Sequence, residues 1–245
     1  MKAVLFGASG GMGRALARLL AVRGDRLFLL GHVVENLKRS AHDLEIHGSP
    51  GPVGTAYCDL LEPATFAPAL DQAERELDGF DVVVVTAGLF ATQEELETDP
   101  QLTARLLAAD FANTVLFCEE ARKRLLVAGG GTLCVFSSVA GERGRKPVIL
   151  YGAAKAGLSH YLEGLDHKFR AQGLKVVCVK PGFVKTGMTA GMKPPPFAGD
   201  PEAVARRVLQ AIDHGWPELY APWPWRWIMY VIRKLPRFVM RRIEF

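Results

Sequence analysis

Cysteine is scarce in this chain. Cys58, Cys118, Cys134 and Cys178 are the only four in 245 residues, and no two stand in a CxxC spacing. That excludes a disulfide framework and a zinc-ligand pattern; three of the four fall in or beside apolar strand-like runs, where they read as buried thiols of a reducing compartment. No apolar run is long enough to span a bilayer, and no signal peptide precedes the first strand-like segment, Met1 to Phe6. Both absences point to a cytoplasmic protein. There is no internal repeat, and the length suits one large α/β domain with a sizeable core.

Short apolar runs alternate with helical patterns along the chain. Strands are expected at Lys2–Phe6, Leu27–Leu30, Val53–Tyr57, Asp81–Val85, Thr132–Phe136, Leu174–Val179 and Glu218–Tyr220. Their apolar density suits a parallel sheet covered on both faces. Long helical patterns run over Thr98–Ala128 and Leu150–Arg170, and Asp200-Pro201-Glu202 opens another with a capping residue and a proline at the first position. The expected fold is therefore α/β: a single doubly wound Rossmann domain with a parallel seven-stranded sheet over residues 1–222. A tail, 223–245, is expected to form an amphipathic basic helix. Gly187 to Gly199, with Met192-Lys-Pro-Pro-Pro196, has turn chemistry and no period, so it is a substrate lid or a disordered connection.

Two local constellations carry chemistry. The first strand runs into Gly7-Ala-Ser9-Gly-Gly11-Met12-Gly13 and then a helical pattern with Leu16, Leu19 and Leu20. Strand, glycine turn and helix in that order make a phosphate cradle, because missing side chains let the backbone approach a pyrophosphate at a helix N-terminus. The second is Ser138 followed by Tyr151-Gly-Ala-Ala-Lys155. At four residues apart on a helix the phenol and the ammonium share a face, and a cation beside a phenol favours phenolate, as a general acid/base requires. A packed Tyr beside a surface Lys gives the same spacing.

Taken together, Gly7, Gly11 and Gly13 followed by Ser138, Tyr151 and Lys155 resemble the short-chain dehydrogenase/reductase family. Further marks stand in order: Asp59-Leu60, Thr86-Ala87-Gly88 and Pro181-Gly182-Phe183-Val184-Lys185-Thr186. The resemblance implies an NAD(P)-dependent oxidoreductase without a metal. Tyr151 would exchange a proton with the substrate oxygen, Lys155 would lower the Tyr151 pKa and hold the nicotinamide ribose, and Ser138 would hydrogen-bond the reacting oxygen. Gly7, Ser9, Gly11, Met12 and Gly13 would cradle the pyrophosphate. Asp59 and Leu60 would meet adenine, unless Asp59 is an ordinary cap. Ala87 and Gly88 would make room for the ribose, and Pro181, Gly182, Val184 and Thr186 would face the carboxamide. Where the second strand ends, an acid would select NAD; here the residues are Gly31-His32, which tilts the balance toward NADP. The asparagine usual on the fourth helix is replaced by Asp110 on an ungapped count, with Asn113 one turn later, and either can fill the role.

Substrate class turns on the C-terminus. All four tryptophans, Trp216, Trp223, Trp225 and Trp227, lie in one stretch. From Arg226 on, six Lys/Arg face one acid, a local charge of +5 in a chain of +4, so the residues before it sum to −1. Aromatics beside a short apolar run bounded by cations suit a helix lying in a membrane interface on the inner face, or a packed extension over the active site. A tail this apolar lacks the phosphate-tracking surface of a nucleic-acid binder. The tail and Ser138-Val-Ala-Gly-Glu-Arg143-Gly-Arg145 are similar to one branch of the family, the reductases of decaprenylphosphoryl-ribose epimerase systems. That similarity implies a polyprenyl-phosphoryl keto-pentose substrate, a flavoprotein oxidase partner, and Arg143, Arg145 and Lys146 on the lipid phosphate. A fatty, sphingoid or steroid-like ketone is the alternative substrate. A non-catalytic dinucleotide sensor or scaffold is the alternative of another class. Relatives commonly pair helices into homo-oligomers.

Overall fold

The computed structural model describes residues 1–244. Seven parallel strands form one sheet: β1 (Lys2–Phe6), β2 (Arg26–Gly31), β3 (Gly54–Tyr57), β4 (Val82–Val85), β5 (Gly131–Phe136), β6 (Leu174–Pro181) and β7 (Glu218–Ala221). Their order is β3-β2-β1-β4-β5-β6-β7, with Val4 opposite both Phe28 and Val83. All seven expected strands are present. Val53 and Asp81 fall just outside the ladder, and β6 runs two residues further, to Pro181.

The period of two along β1 divides the core. Ala3 and Leu5 face one layer, with Leu16 and Leu20 of α1 (Gly11–Arg23), Leu37 of α2 (Val34–Ile46) and Val208 and Ile212 of α8 (Pro201–His214). Val4 and Phe6 face the other, with Phe66 and Leu70 of α3 (Phe66–Leu77), Phe117 and Leu125 of α6 (Thr114–Val127) and Leu158 and Leu162 of α7 (Ile149–Phe169). Burying both faces removes the polar side of the central strands, which is why these segments read as apolar runs, while the edge strand β3 stays partly exposed.

The expected continuous helix over Thr98–Ala128 is instead three pieces. After the short α4 (Gln93–Thr98), Asp99 caps α5 (Pro100–Leu107) through the Gln101 and Leu102 N–H groups, a π-helical turn spans Ala108–Asn113, and α6 follows. The wide turn is supported by the Thr114 hydroxyl, which donates to the Ala109 carbonyl at 2.6 Å. Its effect is to turn Asp110 fully inward. Asp200 begins α8, but its side chain makes no cap bond; it pairs with Lys185 at 3.2 Å. After a short turn at Gly187–Thr189, the segment up to Gly199 is irregular.

The tail is two helices, α9 (Pro224–Lys234) and α10 (Arg237–Met240). One face of α9 is core: Met229 and Ile232 are buried with Val139 and Tyr220. A charged cluster fixes it there. Glu142, almost fully enclosed, takes Lys180 at 2.7 Å, Arg233 at 3.0 Å and the Tyr220 hydroxyl at 2.9 Å. No helix among the described residues is long and apolar enough to cross a membrane.

Candidate active site

The sheet reverses its winding between β1 and β4, and a cleft of about 490 Å³ opens over their carboxyl ends. That is where doubly wound sheets bind ligands, and the size suits one. Gly7, Ser9 to Gly13, His32, Asp59, Leu60, Ala87, Gly88 and Thr186 line it. Gly7 has φ +99°, and a Cβ there would strike the Ala87 backbone and the Thr86 hydroxyl, which itself donates to the Gly7 carbonyl at 3.0 Å. Gly10 places no side chain over the α1 N-terminus, so the first N–H groups of that helix stay open to an anion.

Beyond Gly88 of the lining, whose backbone passes Lys155, stand Ser138, Tyr151 and Lys155, none of them among the residues that line the cleft. α7 is anchored by Gln93, whose Oε1 accepts the Ile149 N–H at 2.8 Å and the Leu150 N–H at 3.2 Å, so the first turn carrying Tyr151 is held from α4. Ser138 Oγ accepts the Ala140 N–H at 3.0 Å and also meets the Tyr151 hydroxyl. Lys155 Nζ lies 5.6 Å from the Tyr151 ring centre, donates to the Phe136 carbonyl at 3.4 Å and faces Asp110 Oδ2 at 3.4 Å. Asp110 Oδ1 accepts the Leu89 N–H at 2.7 Å; Oδ2 makes the ion pair but no hydrogen bond. Gly88 passes against both Asp110 and Lys155, with no room for a side chain.

Asn113 does not reach this centre. Its Nδ2 donates to the Leu60 carbonyl at 2.6 Å, which ties the Asp59-Leu60 corner to the π turn. The π turn separates the two candidates: Asp110 faces inward to Lys155, while Asn113 faces the wall of the cleft.

The electrostatics add to the expected pull of Lys155 on the phenol two opposing influences from packing. Burial is the largest influence on Tyr151 and raises its phenol pKa; Lys155 and the Ser138 hydrogen bond pull it down, Asp110 pushes it up, and the balance stays above 10.0. Lys155 lowers the value without bringing it below normal. Burial alone would lower the Lys155 pKa, but Asp110 and Tyr151 raise it, so the ammonium stays charged. Burial likewise lifts Asp110 above the usual carboxylate value, against the pull of Lys155 and the Leu89 N–H.

The short chain dehydrogenase family matches residues 1–195 of the sequence. An uncharacterized oxidoreductase of Mycobacterium tuberculosis is 33% identical over 240 residues, covering 98% of this chain and 96% of that protein. The chain belongs to the short-chain dehydrogenase/reductase family. Carbonyl reductase family member 4 of Xenopus tropicalis is 27% identical, over 85% of this chain and 89% of its own length. In fold, the chain superposes on an actinorhodin polyketide ketoreductase with NADPH at a TM-score of 0.80 and 21% identity, covering 90% of this chain and 94% of that one. As a member of this family the chain is an NAD(P)-dependent oxidoreductase, and the non-catalytic alternative falls away.

Other residues of this short-chain dehydrogenase/reductase stand less simply. Asp59 is on the cleft, yet its Oδ1 also accepts the Leu61 N–H at 2.8 Å, so it closes its own turn as well. Met12 is on the cleft and packs into the core. Pro181 ends β6, Gly182 bonds the Ala221 carbonyl at 3.0 Å, and Val184 is buried and bridges Gly199. Arg143 donates to the Leu235 carbonyl at 2.9 Å, Lys146 pairs with Glu244, and desolvation lowers the pKa of half-buried Arg145. Three contributors carry no local signal. Phe90 packs edge-on to Tyr151 at 5.3 Å, Asn36 joins His32 on the cleft, and Trp225 lies against Gly182 while donating to the Phe197 carbonyl at 3.3 Å. Trp225 comes from the tail, so one tryptophan of the stretch packs against the Pro181-Gly182 segment.

Proposed function

We propose that this oxidoreductase is an NAD(P)H-dependent ketoreductase whose carbonyl substrate is carried by a lipid and reached from a membrane surface. The observation that carries the lipid assignment is the outer face of α9. With Met229 and Ile232 already buried beneath it, the helix turns Trp227, Tyr230 and Val231 outward, Trp223 at its cap is exposed beside them, and α10 adds Phe238 at 60% exposure. An outer helix face is ordinarily polar. Here it is aromatic, flanked by Arg226, Lys234 and Arg237, and it adjoins Phe197 of the irregular segment through Trp225. Rings at headgroup depth with cations around them suit peripheral attachment to an anionic inner leaflet.

In this reading Tyr151 donates its proton to the carbonyl oxygen and Ser138 hydrogen-bonds the same atom. The phenol titrates above its normal value, so Tyr151 stands protonated at neutral pH, as reduction requires. A bound nicotinamide dinucleotide supplies the hydride. Backbone from Ser9 to Gly13 would hold its pyrophosphate, Asp59 and Leu60 its adenine, and Lys155 its nicotinamide ribose. Asp110 is the positioning residue that keeps Lys155 charged and oriented. Phe90, Leu150 and Trp225 give the substrate side an apolar wall.

NADP is favoured, because His32 and Asn36 line the end of the cleft where an acid would repel a ribose phosphate, and Asp59 is the only acid on the described lining. His32→Asp is expected to lower kcat/KM for NADPH about tenfold while that for NADH holds or rises, since a like charge beside the phosphate is costly. An unchanged cofactor ratio would assign the preference elsewhere.

The resemblance to the reductases of decaprenylphosphoryl-ribose epimerase systems makes a polyprenyl-phosphoryl keto-pentose the specific candidate, supplied by a flavoprotein that oxidises the ribose. Phe111 and Leu116, exposed on the π turn and α6, suit pairing of two copies into a homo-oligomer. The test is flotation with vesicles containing phosphatidylglycerol, alongside NADPH oxidation on a water-soluble ketone. Trp223→Ser with Trp227→Ser should abolish most flotation and leave soluble-ketone turnover unchanged. Full flotation of that variant would refute membrane attachment through α9. Turnover confined to neutral lipid ketones would favour the fatty, sphingoid or steroid-like alternative.

A further inference from the structure

Outside the cofactor cleft, α10 and the loop after Ser138 line an open surface pocket of about 460 Å³. Arg143, Arg145 and Lys146 line it from the loop, and Arg237 and Arg241 from the tail. Its remaining side chains are Ile149, Met240 and Ile243. Cations gathered from two chain segments nearly a hundred residues apart repel one another, and the protein neutralises them only in part. Lys146 has Glu244, and Arg143 has a backbone carbonyl. Arg237 and Arg241 have no ion pair among the described residues and are exposed. No acid lines the pocket among the described residues.

We propose that this pocket binds the phosphate of a phosphorylated lipid, with Arg237 and Arg241 of the tail completing a site that the loop arginines begin. Guanidinium groups suit phosphate because their planar donors can bond two oxygens at once. Ile149, Met240 and Ile243 provide an apolar side for the chain next to the phosphate. Position links the pocket to the chemistry: Arg143 follows Ser138 on one loop, and Ile149 starts the α7 turn that carries Tyr151. An anchored phosphate would hold an adjoining carbonyl near the phenol. This deepens the lipid-linked reading of the substrate and rests on it, but it makes the tail a wall of the substrate site as well as a membrane contact.

Binding can be measured without turnover, so the two readings fail separately. With the full chain, farnesyl phosphate, farnesol and inorganic phosphate are titrated against tryptophan fluorescence. Farnesyl phosphate is expected to bind at least about tenfold more tightly than either of the others, as loss of a bidentate charged contact predicts. Arg237→Gln with Arg241→Gln, both at exposed positions, should remove that advantage while farnesol binding stays within a small factor of wild type. Equal affinity for farnesyl phosphate and farnesol, or a double variant that keeps the advantage, would overturn the site. Inorganic phosphate binding as tightly as farnesyl phosphate would overturn the lipid assignment and leave a free-phosphate site. Phosphate-dependent binding without reduction of any lipid carbonyl would instead count against the reductase substrate.

Discussion

Replacing Tyr151 by phenylalanine is expected to cut carbonyl reduction by about 10²–10⁴-fold while leaving dinucleotide affinity within a small factor. The substitution removes one oxygen from a ring that Phe90 already packs against edge-on, so the fold has no reason to change. Loss in kcat with unchanged dinucleotide Kd is the signature of a missing proton donor. A pH profile adds a second readout. Because burial and Asp110 hold the phenol above its usual 10.0, the wild-type reductive rate should stay flat through neutrality and decline only beyond pH 10. In the oxidative direction the phenolate is the active form, so that rate should climb as pH rises toward the same value. Full activity in Tyr151→Phe, or a reductive rate falling between pH 6 and 8, would remove Tyr151 from the proton transfer.

Asp110 should give the largest loss of stability. Asp110→Ala strips the buried Lys155 ammonium of its counter-charge and the Leu89 N–H of its acceptor in one change. Removing one partner of a buried pair costs about 3–5 kcal/mol, because the charge left behind is uncompensated. Chemical denaturation would measure this directly. Asp110→Asn keeps an acceptor for Leu89 and should lose less. Combining Asp110→Leu with Lys155→Met removes both charges and should be more stable than Asp110→Ala alone, although inactive. If Asp110→Ala unfolds no more easily than wild type, the carboxylate does not hold Lys155 in place.

The same residue shows where reading the sequence stops. Counting back from Ser138 lands on Asp110, but Asn113 is only three positions away, and helical period alone places both on neighbouring turns. The π turn, supported by Thr114 and invisible to apolar periodicity, sends one inward and the other to the Leu60 carbonyl. The Tyr151 pKa is a similar case. Spacing reveals the lysine that lowers it, whereas burial and the Asp110 charge, which raise it and prevail, come from packing.

What sequence alone determined was the parallel sheet and the glycine turn, and it put forward the Ser138, Tyr151 and Lys155 set, because each is written in neighbours: apolar runs bounded by turns, a missing side chain, a spacing of four on one helix. Only tertiary structure decided what surrounds them. It put Trp225 on Gly182, divided α9 into a buried face and an outward aromatic one, and brought Arg237 and Arg241 to Arg143 and Lys146. Those contacts join segments far apart in the chain, and no local period records which distant charge or ring will close against them.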